Sequence, residues 1–114
     1  MVPDERGRLP RAEGAEKVRQ SISIILHTER GERVMMPTFG CGLRRFLMQP
    51  NSNGTRAQME REIRQALETW EPRVALTRVE VLPGADPALV LIDIAYTHRR
   101  DGRKDNLVFP FYLE

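Results

Sequence analysis

Cysteine is nearly absent from this chain, and long apolar runs are missing altogether. A single cysteine, Cys41, in 114 residues excludes an internal disulfide framework. It fits folding in a reducing cytoplasm. No apolar stretch approaches the length of a bilayer span, so no membrane partner is expected. The opening MVPDERGRLPRAEG is polar and has no signal-peptide apolar region. An excess of one charge is also missing. The net charge is only +2, and acids and bases interleave along the chain. A nucleic-acid footprint would cluster Lys and Arg on one face, so no nucleic-acid partner is expected.

Catalytic and metal motifs are lacking too. There is no phosphate-binding glycine loop, no Ser-His-Asp set and no Cys/His metal spacing, so no cofactor or metal is expected. His27 has no second ligand at useful spacing. Cys41 lies between two glycines with no base beside it, and reads as a small buried side chain.

What is present fits one soluble domain. Hydrophobic residues make up 40% and charged residues 30%, the balance of an ordinary globular fold, and the length can bury a core without staples. Residues 1–13 are rich in Pro, Gly and charge without periodicity, and read as a flexible N-terminal arm. From Ala15 to about Glu29, Val18, Ile22, Ile25 and Leu26 form a helical stripe that stops near Gly31. Pro37, Gly40 and Gly42 then mark a loop, with a helical turn over Leu43 to Met48. Phe39, Phe46 and Leu47 are expected to plug the edge of the core.

A second helix, capped by Asn53 or Thr55, runs to Trp70. Met59, Ile63, Ala66, Leu67 and Trp70 line its apolar face. Arg56, Glu60, Arg61, Arg64 and Glu68 line the other, with Glu60 and Arg64 at ion-pair spacing. Three strands follow. In Val74–Leu82 the pairs Val74/Leu76 and Val79/Val81 are out of step, which a bulge near Thr77-Arg78 would reconcile. In Leu89–His98, Val90, Ile92, Ile94 and Tyr96 point one way. The run His98–Lys104 reads as a solvated hairpin tip around Asp101-Gly102. In Asn106–Leu113, Leu107, Phe109, Phe111 and Leu113 face the helices while Val108 and Tyr112 face out. Pro110 deletes a ladder donor, so this strand belongs at an edge. The fold class is therefore α+β: two main helices on a small C-terminal antiparallel sheet.

Glu71-Pro72-Arg73 sits where helix gives way to strand. Proline cannot continue a helix and pushes the residue before it out of the α region. The chain turns there, with an acid and a base on either side of a rigid ring. We expect both charges to point outward.

Four motifs together resemble one family: EKVRQSI (Glu16–Ile22), GERVMMPTFGCG (Gly31–Gly42), WEPRV (Trp70–Val74) and DNLVFPFY (Asp105–Tyr112). The family is that of the baseplate sheath initiators of contractile injection machines. It includes the baseplate wedge protein of contractile-tailed phages and the small baseplate component of type VI secretion systems. The resemblance covers residues 14–114. It implies a structural, non-enzymatic protein, assembled in the bacterial cytoplasm into a phage tail or tail-like particle, with six copies per baseplate. It implies that Glu71, Pro72 and Arg73 dock on the helical core bundle of the wedge proteins. It implies that sheath subunits add strands to the sheet, with inner-tube or hub proteins as further neighbours. From the alternation of the last strand, we expect Val108, Pro110 and Tyr112 to be the sheath-contact residues. In that setting Pro110 would fix the register of the added strand.

Two other readings are open at this level. One is a stand-alone peptide-binding module that grips an unrelated segment at the sheet edge. The other is glycoside hydrolysis, because some members of the family carry a lysozyme label. That chemistry needs two carboxylates, one held protonated by an apolar site. The candidates Glu29, Glu32, Glu60, Glu62, Glu68 and Glu71 all lie on polar faces or in charged runs, and Arg73 beside Glu71 favours the ionised form.

Overall fold

The structure is a computed structural model that describes residues 10–29 and 40–114, with side chains from Gly14 onward. Helix α1 spans Pro10–His27, a 3₁₀ turn spans Leu43–Phe46, and helix α2 spans Asn53–Trp70. Strands β1 (Val74–Pro83), β2 (Leu89–His98) and β3 (Lys104–Tyr112) follow. They form one antiparallel sheet in the order β1-β2-β3. The α+β reading holds.

α1 begins five residues earlier than its apolar stripe indicates. Pro10 opens it, and a first-turn proline loses nothing because that N–H has no helical partner. The last residues of the expected arm are therefore helical; the rest of the arm lies outside the described residues. The helix ends at His27, two residues before the expected Glu29, and Gly31 lies outside the described residues. Thr28 turns back instead, its carbonyl accepting a 3.1 Å bond from the Cys41 N–H. Gly40 permits this closure. Its φ is +113°, and a Cβ there would lie 2.4 Å from the Thr28 oxygen. Ser52, rather than Asn53 or Thr55, caps α2: its hydroxyl accepts from the Thr55 N–H at 3.2 Å.

One core joins the layers. Val18, Ile22, Ile25 and Leu26 of α1 meet Met59, Ile63, Ala66 and Leu67 of α2. Both rows pack with Val90, Ile92, Ile94 and Tyr96 of β2, all at most 1% exposed. Cys41 and Phe46 close one end of the core, at 0% and 4% exposure. Leu47 does not plug it. It is 39% exposed, and Met48 beside it is 82% exposed with φ at +69°. The chain turns outward there, and the Met48 N–H donates to the Leu113 carbonyl. Phe39 lies outside the described residues.

The phase slip in β1 is a bulge, since the register with β2 shifts between Leu76 and Arg78. Trp70 ends the apolar stripe of α2 only half-buried, packed against the edge of the core. Full burial of tryptophan makes Trp→Ala cost about 3–5 kcal/mol. Half-burial places the expected loss for Trp70→Ala near 2 kcal/mol, read from urea unfolding with an unchanged m value.

Candidate functional site

Two places combine exposed groups with unusual local structure: the corner after α2 and the outer edge of β3. At the corner, the expectation of two outward charges fails for one of them. Glu71 is 1% exposed. The turn that Pro72 forces swings its side chain inward, while Pro72 and Arg73 stay on the surface. Arg73 reaches back as a fork, with Nε to Oε1 at 2.7 Å and Nη2 to Oε2 at 2.9 Å. Its side chain remains 52% exposed. The Ser21 hydroxyl of α1 lies near the same carboxylate and favours its charged form. Burial by itself pushes the Glu71 carboxyl up. The bonds from Arg73, with the Ser21 hydroxyl and the arginine's charge, outweigh that and hold it below the usual carboxylate range. Glu71 in turn raises the Arg73 pKa.

The hairpin between β2 and β3 straps the corner. The Arg99 N–H donates to the Arg73 carbonyl at 3.0 Å, and Arg99 Nε donates to the Val74 carbonyl at 3.3 Å. An open groove beside it is lined by Glu68, Pro72, Val74, Ala75, Leu76 and Arg99. The turn at Asp101-Gly102 is exposed as expected, with Gly102 at φ +74°. His98 is not part of a solvated tip. It is 8% exposed, with Nε2 3.3 Å from Asp105 Oδ2. Arg19 of α1 donates to Asp105 Oδ1 at 2.9 Å. Burial pushes the Asp105 carboxyl up, but the Asn106 N–H, His98 and Arg19 hold it below its ordinary value. Tyr96 packs edge-on against His98 with ring centres 5.3 Å apart. Burial, and next the Asp105 charge, push the Tyr96 phenol up to about 12. Its hydroxyl has no hydrogen-bond partner among the described residues.

The two edges of the sheet differ. Along β1, Glu60 of α2 accepts the Val81 N–H at 2.9 Å. That replaces the expected Glu60–Arg64 pair; Arg64 lies 3.9 Å from Glu68 instead. β3 pairs with β2 on one side only. Its inner row Leu107, Phe109 and Phe111 is half-buried, and only Leu113 is fully covered. Its outer residues Val108 and Tyr112 are each 53% exposed, and Pro110 is exposed between them. In register, Pro110 lies beside Leu91, which lies beside Leu82. Next to this apolar half, Arg78 pairs with Asp93 at 3.0 Å, and Asn106 donates to Asp93 at 2.7 Å.

Each described carboxyl with a shifted pKa, Glu71, Asp93 or Asp105, is shifted downward. Glu32 lies outside the described residues. No group of three or more metal-ligating side chains occurs among the described residues. No described helix is long and apolar enough to cross a membrane.

The described residues thus form a small α+β domain with an ion-paired corner and a last strand that is paired on one side only. The model of the family of baseplate wedge protein gp25 matches residues 12–103. The chain belongs to that family. It is 30% identical over 97 residues to the baseplate wedge protein gp25 of Enterobacteria phage T4, covering 85% of this chain and 74% of that one. A crystal structure from Geobacter sulfurreducens, provisionally named a tail lysozyme, is 43% identical. It superposes with a TM-score of 0.81 over 96% of this chain and 97% of that one. A chain of the postcontracted pyocin R2 baseplate is 31% identical, with a TM-score of 0.57 over 85% of this chain and 83% of that one. The protein is a baseplate wedge component of the contractile injection systems.

The buried pair makes a pH-dependent prediction. Glu71 is held below its unfolded value, so its contribution is present above about pH 4.5 and is lost as pH falls through the folded pKa. Arg73→Ala leaves the carboxylate buried without its cation. The expected loss at pH 7 is about 1–3 kcal/mol, below the cost of breaking a fully buried pair because solvent reaches Arg73. The gap between wild type and variant should close as the pH is lowered toward 3, measured by urea unfolding at stepped pH.

Proposed function

We propose that the protein couples the baseplate wedge to the sheath. Pro72 and the outer side of Arg73, positioned by Glu71, dock on the helical core bundle formed by other wedge proteins. The free edge of β3 receives extended strands from the first ring of sheath subunits, at Val108, Pro110 and Tyr112. Six copies, one per wedge, make this edge a circular template, next to the tube and hub. Assembly takes place in the bacterial cytoplasm, and the work is structural rather than enzymatic. The downward shifts of Glu71, Asp93 and Asp105 favour that last point, since a general acid needs the opposite.

The observation that carries the reading is the contrast between the edges. Glu60 of α2 takes up the Val81 N–H on the β1 edge, while β3 is paired with β2 alone and carries a half-buried aromatic row. An isolated domain gains nothing from such an edge, which invites aggregation. A template uses it, because an added strand supplies main-chain bonds and side-chain pockets together. Val108→Lys with Tyr112→Lys tests this. Both side chains point outward, so folding is expected to change by less than about 1 kcal/mol. The variant should enter baseplates that then fail to extend a sheath in electron micrographs. Full-length sheaths on such baseplates would overturn the reading.

Docking needs its own test because the corner also holds the fold. Arg73→Lys keeps a cation beside Glu71 but loses the fork. It should fold, yet enter baseplates poorly. Normal incorporation would mean that Arg73 serves only as the counter-ion of Glu71.

A further inference from the structure

In an antiparallel pair, alternate residues direct their N–H and C=O toward the partner strand, and the residues between direct theirs away. The Leu113 N–H donates to the Ala88 carbonyl at 2.7 Å. At the other end, the Arg103 carbonyl accepts from the His98 N–H at 2.8 Å. The odd-numbered residues of β3 therefore face β2. The outward backbone groups belong to Lys104, Asn106, Val108, Pro110 and Tyr112. Five donors would be the full complement there. Pro110 has none, and the Asn106 N–H is already bound to Asp105 Oδ1 at 2.8 Å. The same oxygen accepts from Arg19, and the other carboxylate oxygen faces His98, so a side-chain network holds this closure in place.

We infer that β3 is a guarded edge: two of its five outward donors are removed, so backbone pairing alone cannot hold a strand there, and acceptance depends on side chains. Of the three donors that remain, Lys104 lies at the charged end of the strand; along the apolar half only Val108 and Tyr112 are left, about 13 Å apart along the strand. The outward carbonyls of all five residues still accept. The occupant is one extended segment that is apolar on both faces for about five residues. Its inner side chains extend the half-buried row Leu107, Phe109 and Phe111, and its outer ones sit beside Val108 and Tyr112. Beyond Asn106 the inner face turns to the charged Asp105 network, so the apolar match ends there. The guard also acts against this chain itself. Two β3 edges paired about a twofold axis would oppose Pro110 to Pro110 and lose two bonds at the centre. The protein stays monomeric until a matched strand arrives. This rests on the proposed strand addition by sheath subunits, and it says why sheath adds to this edge while copies of the initiator do not add to one another.

Two measurements separate the inference from the reading beneath it. The first is amide hydrogen exchange of the intact chain, free and in complex with the sheath subunit of the same particle. Free, Asn106 should exchange more slowly than Val108 and Tyr112; in the complex, Val108 and Tyr112 should become protected. No protection of either would overturn strand addition at this edge, and the guard with it. The second is sedimentation of Pro110→Val, with circular dichroism as the fold control. Valine suits a strand and restores the missing donor. The variant should self-associate at concentrations where wild type is monomeric, and its affinity for the sheath subunit should rise by about two- to tenfold. A variant as monomeric as wild type, with Val108 and Tyr112 protected in the complex, would leave strand addition standing and overturn the guard.

Discussion

A carboxylate buried at the end of a helix sets the geometry of this protein. Glu71 lies where α2 stops, and three elements converge on it. Ser21 reaches it from α1, Arg73 from the start of β1, and the Arg99 strap fixes the main chain that carries Arg73. Leaving such a charge without partners would cost several kcal/mol, so its surroundings have little freedom. Pro72 makes the arrangement possible by turning the chain within one residue. The angle between α2 and the sheet is thereby tied to the position of an exposed arginine. The same device shapes the fold and presents a surface.

At the other side of the sheet, β3 is left half-finished. Its aromatic row is only partly covered, and its outward face carries valine, proline and tyrosine where a solvated strand would carry charge. In a free-standing domain this is a liability. In a component of a contractile baseplate, the strand addition we propose covers it. On β1, α2 takes up one edge N–H through Glu60, whereas the Val108 and Tyr112 N–H groups of β3 face away from β2. The corner and the edge lie on different elements, which allows one partner to be held while another is added.

Much of this was legible in the sequence because periodicity reports burial directly. The α2 stripe, the alternation of β2 and the slipped phase of β1 each have one physical explanation, and each appears as expected. Pro110 marked an edge for the same reason, since a missing donor is a local property. What was not legible depends on residues far apart in the chain. Glu71 looked like a surface charge because nothing in its own helix indicates that Ser21, 50 positions earlier, would lie against it. Glu60 looked like half of an i,i+4 pair, but its partner is a backbone N–H on β1. His98 looked like part of a basic turn until Asp105 and Tyr96 enclosed it. Leu47 was misplaced because hydrophobicity alone does not say which way a chain turns after a 3₁₀ segment. Pro10 was a local signal that the apolar stripe overshadowed: a proline opening a helix before the first buried residue.

The central claim is that the free edge of β3 is where the baseplate hands over to the sheath. A structure of the assembled particle at a resolution that traces main chain tests it most directly. The account predicts a strand from a sheath subunit alongside β3, with carbonyl oxygens within about 3 Å of the Val108 and Tyr112 nitrogens and none bonded at Pro110. An edge that faces solvent in the extended particle, or lies under a helix of a wedge protein, would contradict it.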